Sequence, residues 1–552
     1  MEAIRCELCG SIFKILNWNA NAHSRRFPFA LVLFLELRNL VCPKPVARRF
    51  PFRHHGRRRE SEGGHGSASL KYAAEPLRAF AFGAHCRPQR LQPQVLRIVH
   101  ILPMKVLRIV HNGGMKVLRI VLGKPCSKEK HTKLLEWKQQ QAGKTAVLIE
   151  GARRVGKSTL AKEFGLNEYK SCLVIDFFQA PDEVKQYFRD YSNDFDALFL
   201  YLSAYYSVEL FDRESLVVFD EVQMFPFARG LVKYLVADGR YDYVETGSLL
   251  SIKQNIQDIV VPSEEQTLEL APFDFEEFLW AMGEKPLAQL IGSSFDSLKP
   301  LPDNLHRKAS ALFREYMLVG GMPEPVRIYT EQRKFQPVEQ AKRQIIELYR
   351  NDVARFARGY EFKVVSVLDG IPGQLSKHEK KFTLSSISKN ARMRTYEEAF
   401  FWLSDARIAN ICYASTDPSV GLGLSVEQTS LKCYMADTGL LATLALSTGA
   451  TDEEGVYRAV LRGDVGLNEG MLVENVVAQC LVANGRKLFF YSQSGKKENQ
   501  QRMEIDFLIV RPYVNAAGKP RISPIEVKSP RQYGTVSLDR LKETFDKKIG
   551  TQ

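Results

Sequence analysis

One loop, Gly151–Thr159 with the sequence GARRVGKST, constrains this chain more than any other segment. It follows TAVLIE at 145–150, a continuous apolar run whose length and composition predict a buried parallel strand. The residues that follow the loop's lysine, STLAKEFG, predict a helix that ends at Gly165. Between a strand and a helix, this spacing of Gly, Lys and Ser indicates a phosphate-binding P-loop.

The residue types of this loop predict how it would hold a nucleotide. Gly151 and Gly156 are expected to adopt conformations closed to other residues, which brings backbone N–H groups close to the phosphates. Lys157 is expected to reach the β- and γ-phosphates, and the Ser158 hydroxyl to ligate Mg²⁺. The predicted nucleotide-binding residues are Gly151, Ala152, Arg153, Arg154, Val155, Gly156, Lys157, Ser158 and Thr159.

Two further strand-like runs end in polar residues that suit ATP hydrolysis. SLVVFDEVQ at 215–223 carries Asp220, predicted to hold Mg²⁺, and Glu221, predicted to polarise the attacking water. Glu221 and Lys157 are therefore the predicted catalytic residues, and Ser158 and Asp220 the predicted metal ligands. YDYVETGSLLS at 241–251 supplies Thr246 and Ser248 as candidate sensors of the γ-phosphate. The predicted cofactors are ATP and Mg²⁺.

The order of the elements predicts an α/β chain with three structured parts. Strands alternate with helices over residues 140–285, which predicts a parallel αβα sandwich with the nucleotide at the strand ends. Residues 290–415 are mostly helical in pattern, and 381–414 have the winged-helix order of short helix, longer helix and strand. Basic residues that could meet DNA phosphates there are Lys380, Lys381, Lys389, Arg392 and Arg394. A helical connector with a solvated basic face is the alternative.

The last part of the chain carries a second set of polar residues. Glu474 lies in the helical pattern GMLVENVVAQCLVANG, and Asp506 lies at the start of the strand EIDFLIV. Glu526 and Lys528, in PIEVKS, are two positions apart and therefore on one face of a strand. This order of Glu, Asp and Glu-x-Lys is the signature of a restriction-endonuclease-like fold, in which the acidic residues bind Mg²⁺ and the lysine orients water or stabilises the phosphate.

Together these blocks resemble prokaryotic AAA-type ATPases joined to a C-terminal domain of unknown function related to restriction endonucleases. The resemblance covers His131 to Phe545 and implies a cytoplasmic ATP-binding protein. Its candidate partners, besides ATP, are DNA and further copies of the chain, and no membrane contact is expected. The segments that carry the resemblance are LLEWKQQQAGKTAVLIEGARRVGKST, DEVQMFPFARGLVKYLVADGRYDYVETGSLLSIK, LELAPFDFEEFLWAMG, YMLVGGMPEPV and YMADTGLL.

Two functions are compatible with these features. The first is an ATPase that couples hydrolysis to a nuclease-like domain that cuts or grips nucleic acid. The alternative is a nucleotide-dependent regulatory switch whose nuclease-like domain is inactive and binds a partner. AAA-type ATPases usually take an arginine from a neighbouring subunit. Arg229 and Arg240 lie in the right region, but a solvated surface charge is the preferred interpretation of both, and no arginine finger is assigned.

The first quarter of the chain differs from the rest. Residues 1–127 carry 22 Lys and Arg against 6 Glu and no Asp, a balance of +16, so residues 128–552 carry −2 of the chain's net +14. VLRIV recurs at Val95, Val106 and Val117, which suggests a tandem repeat read through as an extension, with Met104 or Met115 as the start. The spacing of Cys6 and Cys9 is a weak zinc signal.

The predicted domains are a largely disordered or spurious extension, an AAA-type P-loop domain, a helical and winged-helix-like region and a truncated restriction-endonuclease-like domain. Their predicted bounds are 1–127, 128–285, 286–415 and 416–552.

Overall fold

The computed structural model describes most of the chain from residue 105 onward. The described residues are 105–111, 115–121, 126–141, 143–248, 264–297, 299–377, 380–387, 389, 391–419, 421–446, 453–464, 468–493, 503–511, 521–528 and 536–545. The zinc spacing and most of the predicted extension lie outside them. In the described part of that extension, Lys105–His111 (β1) and Met115–Val121 (β2) pair antiparallel. Two copies of VLRIV thus pair with each other as antiparallel strands.

The first large sheet is fully parallel and has the order β4-β5-β6-β3-β7. This confirms a mixed α/β fold with a parallel sheet, consistent with the predicted P-loop αβα arrangement. Because β6 lies between β3 and β5, the ends of the P-loop strand and of the acidic strand flank the end of β6. The five strands are Ala146–Glu150 (β3), Ser171–Asp176 (β4), Ser215–Asp220 (β5), Asp242–Gly247 (β6) and Glu265–Glu269 (β7).

Both faces of this sheet are covered. Val147 and Ile149 of β3 belong to one hydrophobic core, whereas Ala146 and Leu148 belong to a second core. This alternation is what a strand between two helical layers requires. The covering helices are Cys126–Gln141 (α1), Lys157–Glu168 (α2), Asp182–Asp190 (α3), Phe195–Tyr206 (α4) and Pro226–Asp238 (α5).

The predicted end of helix α2 at Gly165 is wrong. The helix continues to Glu168, and Gly165 lies inside it, where an added Cβ would approach Cys172 Sγ to 2.3 Å. Gly165 therefore permits close packing of the helix on β4, and it does not terminate the helix.

The middle of the chain is helical, and the predicted order within 381–414 is observed. A short 3-10 turn at Leu384–Ser386 precedes a longer helix and then a strand. The winged-helix assignment and its DNA contact stay predictions. The helices of this region are Phe275–Ala281 (α6), Lys285–Asp296 (α7), Asp303–Val319 (α8), Pro323–Gln332 (α9), Phe335–Phe356 (α10), Glu361–Leu375 (α11) and Met393–Asp405 (α12).

The second large sheet has the order β12-β11-β10-β8-β9, in which only the β10–β8 pair is parallel. Its strands are Ala409–Ser415 (β8), Val426–Met435 (β9), Leu488–Gln493 (β10), Met503–Arg511 (β11) and Arg521–Ile525 (β12). The remaining helices are Thr438–Leu446 (α13), Glu453–Arg462 (α14), Glu469–Ala483 (α15) and Val536–Phe545 (α16). The domain boundary predicted between residues 415 and 416 lies between β8 and β9, which are paired strands of this one sheet.

The glycine turn between α8 and α9 connects three parts of the molecule. Gly320 has φ 86° and ψ −169°, a conformation essentially restricted to glycine. Gly321 N donates to Asp437 Oδ2 at 2.6 Å, and Gly321 O accepts from Phe273 N at 2.7 Å. The turn thus contacts the segment after β7 on one side and the residue two positions after β9 on the other. None of the helices in the described ranges is long and apolar enough to cross a membrane.

Candidate functional site

The glycine loop lies between β3 and α2, as the sequence predicts. Gly156 precedes the helix with φ 99° and ψ 18°, and no side chain caps the helix at this position. The first N–H groups of a helix lack intrahelical acceptors and attract anions. Gly151 has no positive φ; instead, an added Cβ would lie 2.3 Å from Leu270 O. The expectation of a special conformation therefore holds for Gly156, whereas Gly151 is required by close backbone packing.

Lys157 is buried at the base of this loop. Its Nζ donates to Gly151 O at 3.1 Å and to Ala152 O at 3.0 Å. Burial lowers the pKa of Lys157 to about 8, although the carboxylates of Glu221 and Asp220 oppose this shift. Two neutral carbonyls are weak partners for a buried ammonium, so a polyphosphate would bind it more favourably.

The predicted metal ligands lie in direct contact. Ser158 Oγ donates to Asp220 Oδ1 at 2.6 Å. Thr246 Oγ1 donates to the same carboxylate oxygen, and Lys162 Nζ lies 3.8 Å from Asp220 Oδ2. A hydroxyl and a carboxylate at a P-loop are the oxygen donors that Mg²⁺ prefers. The residues present therefore fit the predicted ion.

Glu221 is held by its own backbone conformation and by two neighbours. It has φ 54°, in the left-handed region, and its N–H donates to Thr246 Oγ1 at 3.2 Å. Its carboxylate accepts a hydrogen bond from Gln223 Nε2, which also lies 3.5 Å from Ser248 Oγ. Both predicted sensors thus lie near Glu221, and Thr246 contacts the acidic residues directly.

Gln223 was not predicted from the sequence. The available signal is its position, two residues after Glu221 in the segment that follows an acidic strand end. Its Oε1 is buried without a hydrogen-bond partner among the described residues. Gln223 thus joins Glu221 to Ser248 through a single amide group.

The helical region reaches the tip of the loop. Arg153 Nη1 lies 2.6 Å from Asp352 Oδ1 of α10, and Tyr349 OH donates to Arg153 O at 3.3 Å. A Cβ on Gly156 would lie 3.6 Å from Pro323 Cγ at the start of α9. The neighbouring Arg154 has φ 69°. No local sequence pattern reveals the Asp352 contact, because its partner lies 199 residues away.

The interpretation of Arg229 as a solvated surface charge is wrong. Arg229 is 3% exposed, with Nη2 3.1 Å from Glu265 Oε1 and Nε 3.8 Å from Glu245 Oε2. Burial and Glu265 raise the pKa of Glu245 well above its usual range. Arg240 is paired with Asp196 and Asp238 at 2.5 and 2.7 Å. Both arginines are engaged within the chain.

The four residues predicted for a nuclease site lie close together, on or beside the second sheet. Asp506 is on β11, and its Oδ2 accepts a hydrogen bond from Val527 N at 2.8 Å. Glu526 and Lys528 were predicted to lie on a strand, but they follow the end of β12, where they form an ion pair. Glu474, on α15, is 1% exposed. Lys432 connects Asp506 on β11 with Glu474 on α15, because its Nζ lies 3.1 Å from Asp506 Oδ1 and 3.5 Å from Glu474 Oε1.

Sequence reasoning missed Lys432 and Tyr434. They lie two positions apart on β9, so both side chains point to the same face of the strand, and both contact Glu474. Tyr434 OH donates to Glu474 Oε1 at 2.5 Å. Lys380, predicted to meet a DNA phosphate, forms an ion pair with Glu474 Oε2. The sequence LKCYM offers one signal, a lysine and a tyrosine two positions apart in a strand that is otherwise apolar near its end.

Three segments of the chain match known family models. Residues 143–279 match a family described as AAA domain. The match supports an AAA-type ATPase. Residues 310–453 match a domain of unknown function (DUF8612), and residues 469–551 match another domain of unknown function (DUF4143). No curated protein is significantly similar to this chain. The AAA-domain match suggests a nucleotide-binding ATPase, and it covers the P-loop, both acidic residues and both candidate sensors.

Proposed function

We propose that this protein hydrolyses ATP with Mg²⁺ and acts as a nucleotide-dependent switch. Lys157 would neutralise charge on the phosphates, and Ser158 and Asp220 would hold the ion. Glu221 would orient and polarise the attacking water, with Thr246 fixing its position. When bound, Mg²⁺ supplies the positive charge that offsets the charge developing on the phosphates. The support is the direct contact among Ser158, Asp220 and Thr246 described above.

The contact of α10 with the P-loop carries the switch part of the proposal. Arg153 pairs with Asp352 at 2.6 Å, near the end of that helix. Earlier in the same helix, Lys342 Nζ donates to Leu318 O at 2.6 Å and to Tyr457 OH at 2.9 Å. One helix therefore contacts the nucleotide loop and α14. A change in the loop on ATP binding has a continuous path into the C-terminal part.

The beginning of α10 is also tied to α14. Phe335 N donates to Glu454 Oε2 at 2.5 Å, and Gln336 N donates to the same oxygen at 3.1 Å. The buried Glu339 accepts from Thr443 Oγ1 at 2.9 Å and from Tyr457 OH. These contacts hold α10 against α13 and α14 over its first turns, so a shift of the helix would displace both.

The sequence allows two roles for the C-terminal domain, one that cuts or grips nucleic acid and one that binds a partner without cleavage. We propose the second, non-cleaving role. Lys380 and Lys432 both contact the carboxylate of Glu474, and Lys528 contacts Glu526. Carboxylates engaged in this way are not available to hold a catalytic metal without rearrangement. On the same basis, DNA cleavage is not proposed. Cys172, Cys412, Cys433 and Cys480 are free, which is compatible with the proposed cytoplasmic location.

The test measures ATP turnover by the full chain together with hydrogen exchange in α10. Mg²⁺-dependent phosphate release that is lost in Lys157→Ala supports the ATPase. Slower amide exchange in α10 with a non-hydrolysable ATP analogue, absent in Asp352→Ala, supports the switch. A chain that hydrolyses ATP with unchanged exchange in α10 would retain the ATPase and refute the coupling. Plasmid DNA incubated with the protein, Mg²⁺ and ATP is expected to stay intact.

A further inference from the structure

An ammonium group lies at the centre of the C-terminal cluster. Lys432 projects from β9, and its side chain is fully buried. Its Nζ lies 3.1 Å from Asp506 Oδ1, 3.2 Å from Glu504 Oε1 and 3.5 Å from Glu474 Oε1. The three acceptors come from helix α15 and from two positions on one face of β11. The Lys432 Nζ atom thus links helix α15 to strand β11.

The surroundings of Lys432 keep this group charged. Burial by itself lowers the pKa of Lys432, but the carboxylates of Glu474, Asp506 and Glu504 together raise it well above the ordinary value. Burial would likewise raise the pKa of Asp506, yet Lys432 and Lys380 hold it below its usual range. Lys432 is therefore a charged ammonium ion beside the ionised carboxylate of Asp506.

This donor set does not fit the divalent ion that a restriction-endonuclease-like site implies. Such an ion needs several oxygen ligands at about 2.0–2.6 Å. Here, the carboxylates of Glu474 and Asp506 converge on a nitrogen instead. A metal ion in the same space would have to expel the Lys432 ammonium, which has no solvent-exposed surface in this position. Among the described residues, no group of three or more His, Cys, Asp or Glu side chains could hold a metal ion.

We propose that Lys432 is a built-in replacement for the divalent cation of a restriction-endonuclease-like site. The domain keeps the carboxylates of that site and neutralises them with its own side chains. Lys380 contacts the second oxygen of Glu474, and Lys528 contacts Glu526. Lysine side chains of the protein itself therefore pair with these carboxylates as well. This inference rests on the non-cleaving role proposed above, and it makes that role independent of metal supply.

The test uses Mn²⁺, which binds oxygen ligands as Mg²⁺ does and is visible by paramagnetic resonance. The full chain without nucleotide is titrated with Mn²⁺, and bound ion and Tm are recorded. Wild type and Asp506→Asn are expected to bind the same number of ions. Lys432→Met, which leaves the carboxylates without their ammonium, is expected to gain one Mn²⁺ and a Tm increase of at least about 4 °C at saturating ion. Both gains should vanish in the double variant Lys432→Met/Asp506→Asn.

The number of bound ions separates the possible results. Wild type that binds one more Mn²⁺ than Asp506→Asn would overturn the inference, because the site would then accept metal with Lys432 in place. If Lys432→Met does not fold, the comparison of wild type with Asp506→Asn is still decisive. Phosphate release by the wild-type preparation reports separately on the proposed ATPase. A protein without ATPase activity and without the extra ion would refute that proposal and leave this inference standing.

Discussion

Arg153 and Asp352 form an ion pair, with 2.6 Å between Nη1 and Oδ1, although they are 199 residues apart in the sequence. Burial raises the pKa of Asp352, whereas Arg153 lowers it. The charge of Glu221 raises the pKa of Asp352, and the charge of Asp352 in turn raises the pKa of Lys157. The pair therefore lies at the edge of the predicted ATP site. The nucleotide loop and helix α10 therefore share one electrostatic environment.

Asp352→Asn is expected to weaken ATP binding about two- to fivefold. The substitution keeps the shape of the side chain but removes the charge that holds Arg153. Part of the free energy of ATP binding must then be used to order the P-loop, so the affinity for ATP falls. The Arg153 side chain is 34% exposed, so the pair is expected to contribute about 1 kcal/mol or less. The measurement is the ATP dissociation constant at constant ionic strength.

A double-mutant cycle separates the pair from its surroundings. Arg153→Ala and Asp352→Asn should be non-additive, since each removes the same contact. The matched control is the exposed pair Arg327 and Glu331 on α9, at 2.8 Å, whose removal should leave ATP affinity unchanged. Additive effects of the two loop-pair variants would show that the contact does not transmit binding energy.

Lys157→Ala and Glu221→Gln are expected to fail in different ways. Loss of the buried ammonium should weaken ATP binding and reduce kcat/KM at least about 100-fold. Loss of the Glu221 charge should reduce kcat by about 100- to 10,000-fold with little change in ATP affinity. Equilibrium ATP binding and steady-state phosphate release distinguish the two. Lys170→Ala, at a surface position that is 53% exposed, serves as the control. Equal loss of affinity in both variants would contradict the assigned roles.

The P-loop and the acidic strand end could be predicted because their chemistry is local. The loop's residue types and spacing fall within one short segment, and Asp220 and Glu221 directly terminate a buried strand. The parallel sheet followed from the apolar runs for the same reason. The exact role of each glycine did not, because Gly151 and Gly165 are required by contacts with Leu270 and Cys172.

Contacts between distant segments could not be predicted. Lys432 meets Asp506 across 74 residues, and although its position in an apolar strand end is unusual, nothing in the pattern of β9 identifies its partner. Arg229 had the pattern of a surface arginine, yet it lies buried between Glu245 and Glu265. A buried charge is stable only with its partners, and those partners are chosen by the fold.

ATP affinity is expected to fall at alkaline pH. The folded, nucleotide-free protein releases the Lys157 proton near pH 8, whereas the ordinary value is 10.5. Between these values the unfolded chain binds more protons, so this group's contribution to stability rises with pH from about 8 to about 10.5. ATP favours the charged lysine, so its binding takes up a proton above pH 8. The ATP dissociation constant should rise about tenfold between pH 7 and pH 9.

Lys157→Arg is the control for this pH profile, because arginine stays charged throughout the range. Its ATP dissociation constant, whatever its value, should change little between pH 7 and pH 9, since it binds the same ionic forms of ATP. A wild-type profile as flat as that of Lys157→Arg would show that the loop lysine does not lose its proton in this range.

Gly320→Ala is expected to destabilise the protein far more than Gly283→Ala does. Both glycines have positive φ, 86° and 80°, so each substitution carries backbone strain of about 1–3 kcal/mol. At Gly283 the added Cβ meets no atom within 4 Å, whereas at Gly320 it would lie 2.4 Å from Asp437 Oδ1. Asp437 is buried and accepts from Gly321 N, so it cannot move without breaking the junction. Gly320→Ala should therefore cost about 3 kcal/mol or more, measured by denaturant unfolding. Equal losses in the two variants would mean that the turn yields without disturbing Asp437.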